Sequence, residues 1–489
     1  MSLPFDYIPE ALRYPGVQIE IDGSQAGLGD TIPTMLLVGQ KLATGTAPAG
    51  EITRISSVED AKTKAGAGSM LHQMAEAYRK VDQVFDLFML PYADNAAGVQ
   101  ATATLTATAV ATASGVYTLY IAGHKIEVGV TSSMTLAQIA TAITAAINAD
   151  ANVPCTAAAV AAVVTLTAKH KGTCGNDIDL RTNIYGELTP TSLVVAIAGF
   201  TGGAGNPALG DLETILGTFW YRYVALGFSD AATLAAWHTE QRRRYQPPIQ
   251  AGFRLFTTYR GDYAGAVAFG ETKNYEHICD LALGINPKST WESAAILAAA
   301  AAPKLYNNPV TSLEGIALPG LIGLSYFTWT QANSLLFKGM SIMEVAKDGS
   351  CYIKRLISMY QVRPDGSADS AWLDINAAER QERYRYTQRI ELAKAFVGTA
   401  AAKNDEGYRP GLRITTEDSV KIKLLSLYEH KFCYDLGWCQ NKDYYKSTLI
   451  VQQNSDNQSR FDFFDTPVFL SPFYNIAGIN QFRTAVPLV

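Results

Sequence analysis

The 489-residue sequence has little of what most chemistry requires. Histidine is sparse and scattered (His72, His124, His170, His238, His277 and His430), and the six cysteines include no CxxC pair. Thiols spread over such a length argue against a disulfide framework and fit reduced, mostly buried side chains. His170 and Cys174 have a metal-like spacing, but no second pair lies nearby to complete a four-ligand site. There is no GxSxG elbow, and no nucleophile–base signature accompanies Ser325 or Ser358. The Gly-rich TGGAGNP at 201–207 lacks the GK[ST] ending of a phosphate loop, and no strand–GxGxxG–helix occurs. The expectation is a chain with no catalytic residue, no cofactor and no metal.

Charge is also scarce. Asp, Glu, Lys and Arg make up 17% of the chain, against about 25% in typical soluble domains. A surface short of charge is one that neighbouring molecules can cover, although a large core dilutes charge as well. The net charge of −5 gives no electrostatic footprint for nucleic acid. Arg242-Arg243-Arg244 sits at a helix C-terminus, where cations offset the macrodipole, and fits a salt bridge to a neighbouring subunit better than a DNA contact. The start, MSLPFDYIPEAL, has neither a basic nor an apolar signal region. The Ala298–Ala302 run is too short to span a bilayer and is expected to stop at Pro303. No membrane insertion is expected.

Apolar periodicity is plentiful. From Thr34 to Met89 the pattern reads strand, helix, helix, strand (TMLLVG, VEDAKTKA, MLHQMAEAYRKV, FDLFML). It resumes with strand Tyr221–Leu226, helix Ala231–Tyr245, strand Phe253–Thr257, helix Tyr263–Phe269, strand Ile278–Leu281 and helix Glu292–Ala302. Alternation of this kind predicts an α/β sandwich with a largely parallel sheet over residues 25–96 and 205–345. Residues 97–204 differ in kind: they are rich in Ala, Thr, Val and Gly. They hold the alternating ATATLTATAVATASG, a hairpin from YTLYIAG and HKIEVGV, helix Leu136–Asn148, and strands Val163–Ala168, Ile178–Ile184 and Val194–Ala198. This is an inserted α+β domain, tolerated where entry and exit points are close, and it is expected to point outward.

Residues 346–468 form a third, C-terminal region. In it, 348–389 reads as an Asp-Gly turn, a strand-like run Cys351–Tyr360, a Pro-Asp-Gly turn, a short segment to Asp374 and a long charged helix. Glu379–Arg383 and Glu382–Arg385 are at helical spacing, on a face that is either solvated or turned to another subunit. Residues 416–436 read as an amphipathic helix, and Ser447–Gln453 as a strand. Both termini read as extended arms. Residues 1–24 carry Pro4, Pro9 and Pro15 before the alternating Val17, Ile19 and Ile21, and fifteen extended residues reach roughly 50 Å, at about 3.3 Å each. Residues 469–489 carry Pro472 and Pro487 around an apolar strand, Tyr474–Phe482.

In this order the motifs YPGVQIEID, AAGVQATATLT, VYTLYIAGHKIEVGV, AAINA, VTLTAKHKGTCGNDIDLR, TGGAGNP, TWESAAILAAAAA, LPGL, DGSCYIKRLISMYQ and NSDNQSRFDF resemble the Mu-like contractile phage tail sheath family over nearly the whole chain. Ser358-Met359-Tyr360 departs from that family's usual Thr-Thr-Tyr, and Arg363-Pro364-Asp365 from its Asn-rich turn. The resemblance implies a core of subtilisin-like architecture without proteolysis, and a homopolymer stacked as rings or a helix around a tail tube protein. Baseplate and tail terminator proteins would be further partners, and the place a virion tail assembled in the host cytoplasm. Strands would be exchanged between subunits. The arm residues would be Val17, Ile19, Ile21, Tyr474, Ile476, Ile479 and Phe482; the receiving platform would include Tyr352, Lys354, Arg355, Glu382 and Arg385. The sheath of a phage-derived bacteriocin would look the same, and a non-contractile virion surface or adhesin protein is the alternative from another class.

Overall fold

A computed structural model describes residues 33–404 and 413–481; Val17, Ile19, Ile21 and Phe482 lie outside them. Among the described residues the largest sheet has nine strands, in the order Ala317–Ile322, Ser350–Arg355, Ser341–Val345, Ile278–Ala282, Arg254–Tyr259, Tyr223–Leu226, Thr34–Gln40, Asp86–Tyr92, Thr53–Ile55. Every pairing from Ser341–Val345 across to Asp86–Tyr92 is parallel. Antiparallel strands complete both sides. The central strands are apolar without alternation because both faces are covered: all of Thr34–Gln40 and Tyr223–Leu226 is buried. Helix Thr290–Asn307 packs along Tyr223–Leu226 and Arg254–Tyr259 and against helix Met70–Arg79. Each helix of this layer starts where a short polar side chain accepts a backbone N–H: Ser57, Ser69, Asp230, Asp262 and Ser289.

Two features differ from the sequence reading. Helix Thr290–Asn307 does not stop at Pro303 but contains it. The lost hydrogen bond and ring clash cost about 3 kcal/mol, and the extra turn offsets this by burying Leu305 completely. The strand expected over Cys351–Tyr360 ends at Arg355. Beyond it the Ser341 hydroxyl accepts from the Ile357 N–H at 2.9 Å and donates to the Ile357 carbonyl at 3.0 Å, taking the backbone groups a further ladder would need.

Residues 100–201 add no strand to the main sheet. They form an antiparallel sheet in the order Val194–Thr201, Gln100–Ala109, Val163–Lys171, Cys155–Val160, and a smaller one of His124–Val130, Gly115–Ile121 and Leu180–Thr182. Period-two alternation in Gln100–Ala109 buries Ala101, Ala103, Leu105 and Ala107 and turns the threonines outward. Helix Leu136–Ala149 covers the buried face through Ile139, Ile143 and Ile147. A second apolar cluster, separate from that of the main sheet, gathers Tyr384, Leu424, Tyr428, Phe432, Trp438 and Tyr445.

One core residue is out of keeping with its surroundings. Asp280, on strand Ile278–Ala282, is fully buried, and neither carboxyl oxygen has a well-formed hydrogen bond. Burial pushes its pKa up to about 8, with Lys273 and the Tyr259 backbone offsetting only part. A carboxyl raised in the folded state contributes stability that is fully present below the unfolded value, about 4, and lost as pH climbs through the folded one. Asp280→Asn is therefore expected to raise the melting temperature at pH values near 8, with the gain shrinking toward about pH 4. Thermal melts across that range check it.

Candidate inter-subunit surface

The site is built on helix Ile375–Phe396. Its inner face is charged, yet Glu379 and Glu382 are only 4% and 2% exposed. Their counter-charge comes from the sheet. Arg254, with no exposure at all, places Nε 3.4 Å from Glu379 and Nη2 3.9 Å from Glu382. It also donates to the Phe253 and Ala378 carbonyls at 2.8 Å each. Its Nη1 meets His277 Nδ1 at 2.9 Å. Burial, then the adjacent Arg254 charge, pushes His277 well below its usual pKa, so the imidazole is neutral and accepts that bond. Glu379 accepts from the Tyr223 hydroxyl, and Glu382 takes both its oxygens to Arg385 at 2.7 Å. Arg385 in turn donates to the Tyr245 carbonyl at 2.6 Å and lies over the Tyr245 ring.

The outer end of the helix joins the C-terminal segment. Arg380 donates to the Leu470 carbonyl and stacks over Phe469. Arg355 pairs with Asp374, just before the helix, at 3.1 Å and lies 4.5 Å from the Tyr474 ring centroid. Desolvation raises the Tyr474 pKa, as does the nearby Asp374 charge. From residue 470 through Gln481 the backbone forms no strand, where the sequence reading put one at Tyr474–Phe482. A strand needs an edge to pair with, and among the described residues this segment pairs with none. Its apolar side chains stay in solvent: Ile476 is 87% and Ile479 98% exposed.

A groove of about 580 Å³ lies beside Tyr474 and Asn475, between helix Trp329–Phe337 and strand Ser341–Val345. Tyr326, Trp329 and Phe337 project around that helix, largely exposed. Nearby in sequence, strands Ile450–Gln453 and Phe461–Phe464 form a two-stranded hairpin with Ile450 and Phe464 exposed. Hairpins this small are marginal alone. This one leans on helix Glu417–Ser426. That helix runs on into a wider-wound π turn, Leu427–Asp435, which keeps Leu424, Tyr428 and Phe432 on one buried face.

The structure thus brings Arg355 and Tyr474 together, and Glu382 and Arg385 together. Lys354 lines the same groove as Arg355 and Tyr474, bridging Glu314 at 2.7 Å and Glu344 at 3.1 Å, and Tyr352 is half-buried in its strand. Both readings offered for Glu379 and Glu382, a solvated face or a face toward another subunit, omit their burial within the chain. Two of the three arginines in Arg242–Arg244 are likewise partnered internally: Arg243 and Arg244 both bind Glu240, and Arg244 is buried. Sequence reasoning missed Arg254, since one arginine in an apolar strand carries no periodic signal. It expected a helix at Thr330–Lys338 but did not single out the exposed aromatic side chains around it, although the run Leu324–Phe337 contains no charged residue and could have flagged them. Among the described residues no group of three or more His, Cys, Asp or Glu side chains could hold a metal.

A curated protein described as the Mu-like prophage FluMu tail sheath protein of Haemophilus influenzae is 30% identical over 488 residues, 99% of this chain and 100% of that one. The chain belongs to the Mu-like tail sheath proteins. Family members are structural tail components, and the chain is not an enzyme. No family model matches the sequence. Likeness to solved structures is weaker. The sheath tail protein of Desulfitobacterium hafniense is 13% identical with a TM-score of 0.46, covering 94% of this chain and 100% of its own. The anti-feeding prophage helical sheath in its contracted state is 12% identical with a TM-score of 0.44, covering 96% and 99%.

Removing one partner from a buried ion network leaves uncompensated charge. Arg254→Met is expected to destabilise the sheath protein by about 3–5 kcal/mol. Lys354→Ala, on an exposed bridge, should cost about 1 kcal/mol or less. Urea denaturation of the two variants measures the contrast.

Proposed function

We propose that the chain is the repeating subunit of a contractile tail sheath. It polymerises around the inner tail tube by lending its terminal segments to neighbouring subunits, and contracts to drive the tube through the host envelope. The observation that carries the arm exchange is the C-terminal segment, extended, free of charged residues from Leu470 to Gln481, and with Ile476 and Ile479 in solvent. Apolar side chains grouped in an uncharged exposed segment are the kind that a partner surface covers. In strand addition, backbone hydrogen bonds supply affinity and alternate side chains supply register. Residues 1–24, with Val17, Ile19 and Ile21, are the second arm in this reading. Tyr352, Lys354, Arg355, Glu382 and Arg385 belong to the receiving platform, with Glu382 acting from inside by holding Arg385.

The partners in this reading are further copies of the chain, a tail tube protein, and baseplate and tail terminator proteins, assembled in the host cytoplasm into a virion tail. Residues 25–96 and 205–345 are the body, of the architecture called subtilisin-like. Residues 97–204 are an outward-facing insert, and 346–468 the sheath domain that carries the platform. Head-to-tail contacts whose rotation does not close generate a filament. Contraction is a switch between two packings of rigid bodies, the arms absorbing the change.

Deleting residues 1–20, or replacing both Ile476 and Ile479 by Asp, is expected to abolish polymers while the monomer melts as the parent does. Electron microscopy and thermal melts read the two outcomes. Intact sheaths from both variants would remove arm exchange, and sheaths of a single length under every condition, including urea and acid shock, would remove contraction.

A further inference from the structure

His170 and Cys174, spaced like metal ligands, meet at the junction between the 100–201 sheets and the main sheet. The His170 ring is 6% exposed and uses both nitrogens. Nδ1 lies 2.9 Å from Asp94 Oδ1, just beyond strand Asp86–Tyr92. Nε2 accepts the backbone N–H of Met70, the first residue of helix Met70–Arg79, at 3.0 Å. Around them, Gln40 donates to Asp94 and to the Lys171 carbonyl at 2.8 Å each, and Cys174 Sγ lies 3.0 Å from Gln40 Oε1. The Lys171 N–H reaches the second Asp94 oxygen at 3.0 Å.

This geometry fixes the protonation state. A nitrogen that accepts a backbone N–H cannot carry a proton, so the ring is neutral with its hydrogen on Nδ1, donated to Asp94. Protonation would leave the Asp94 bond in place, strengthened by charge, and set an N–H against the Met70 N–H. The helix N-terminus adds a positive partial charge at the same point. Other groups facing the ring region do not take over the lost bond. Lys169 donates to the Ala67 and Ala151 carbonyls, the Lys171 ammonium to Ala96, and His72 Nδ1 accepts from Gly68.

We propose that His170 is a pH-sensitive latch between the 97–204 segment and the core. Neutral His170 ties strand Val163–Lys171 to the N-terminus of helix Met70–Arg79; protonated His170 keeps Asp94 and releases the helix. Acid therefore loosens one side of the junction while the Asp94 side holds.

The test is hydrogen exchange on the unpolymerised full-length chain at about pH 7.5 and about pH 5, the span over which imidazoles titrate, corrected for intrinsic exchange. Protection of the Met70 amide is expected to fall about tenfold or more in acid. In His170→Gln it should stay constant, because an amide side chain can accept from Met70 and donate to Asp94 without titrating. Equal protection at both pH values in the parent, or the same acid loss in His170→Gln, would overturn the latch. If that variant does not fold, nitrogen NMR of histidine-labelled parent decides: a proton on Nδ1 at neutral pH supports the latch, and one on Nε2 refutes it.

Discussion

The Arg254 guanidinium, sealed beneath helix Ile375–Phe396, is the interaction on which the rest of the architecture turns. A cation in the middle of a parallel sheet is retained only where acceptors and counter-charge surround it. These come from places far apart in sequence: two carbonyls and a neutral imidazole accept from its Nη atoms, and two carboxylates of the helix, 3.4 and 3.9 Å away, balance its charge. The charged helix is thereby held on the sheet by desolvated charge rather than by an apolar stripe. Its axis then fixes Asp374 at one end and Arg380 a turn and a half on. Those two residues set Tyr474 and Leu470, from which the exposed C-terminal segment departs.

This network and other buried ion pairs take charge away from the surface. Arg244, Glu240, Glu292, Glu379, Glu382 and Arg254 are all buried. A chain already poor in charge places much of it inside, where it positions elements. What remains outside includes stretches with none, such as Leu324–Phe337 and Leu470–Gln481. In a monomer such stretches are a liability; under the proposed arm exchange they are the parts that neighbours would cover. Sheet edges follow a related logic. The main sheet ends on one side in Ala317–Ile322, where Pro319 and Gly320 interrupt the ladder. On the other side it ends in a three-residue strand carrying the Arg54–Asp86 ion pair.

Local pattern made much of this legible. Helix Ala231–Tyr245, the alternating strand Gln100–Ala109, the hairpin around Ala122-Gly123 and the largely parallel sheet all follow from periodicity, capping residues and turn chemistry. So did family membership, because ordered motifs survive where single residues drift. Misreadings came where tertiary contacts outweighed local preference. Pro303 stays helical because Leu305 has a core to enter, and the strand after Cys351 ends early because a serine from a neighbouring strand takes its backbone groups.

The sequence by itself determined most of the core strands and helices, where those helices begin, and that no catalytic constellation need be sought, since these rest on spacing along the chain. Only the tertiary structure decided what the charged side chains do. Whether Glu382 faces water, another subunit or a buried arginine depends on Arg254, more than a hundred residues away, and desolvation cannot be read from a helical repeat. The same holds for His170. Its spacing from Cys174 looks like a ligand pair, but its role is set by Asp94 and the Met70 N–H, which meet it only because two sheets are joined at that point.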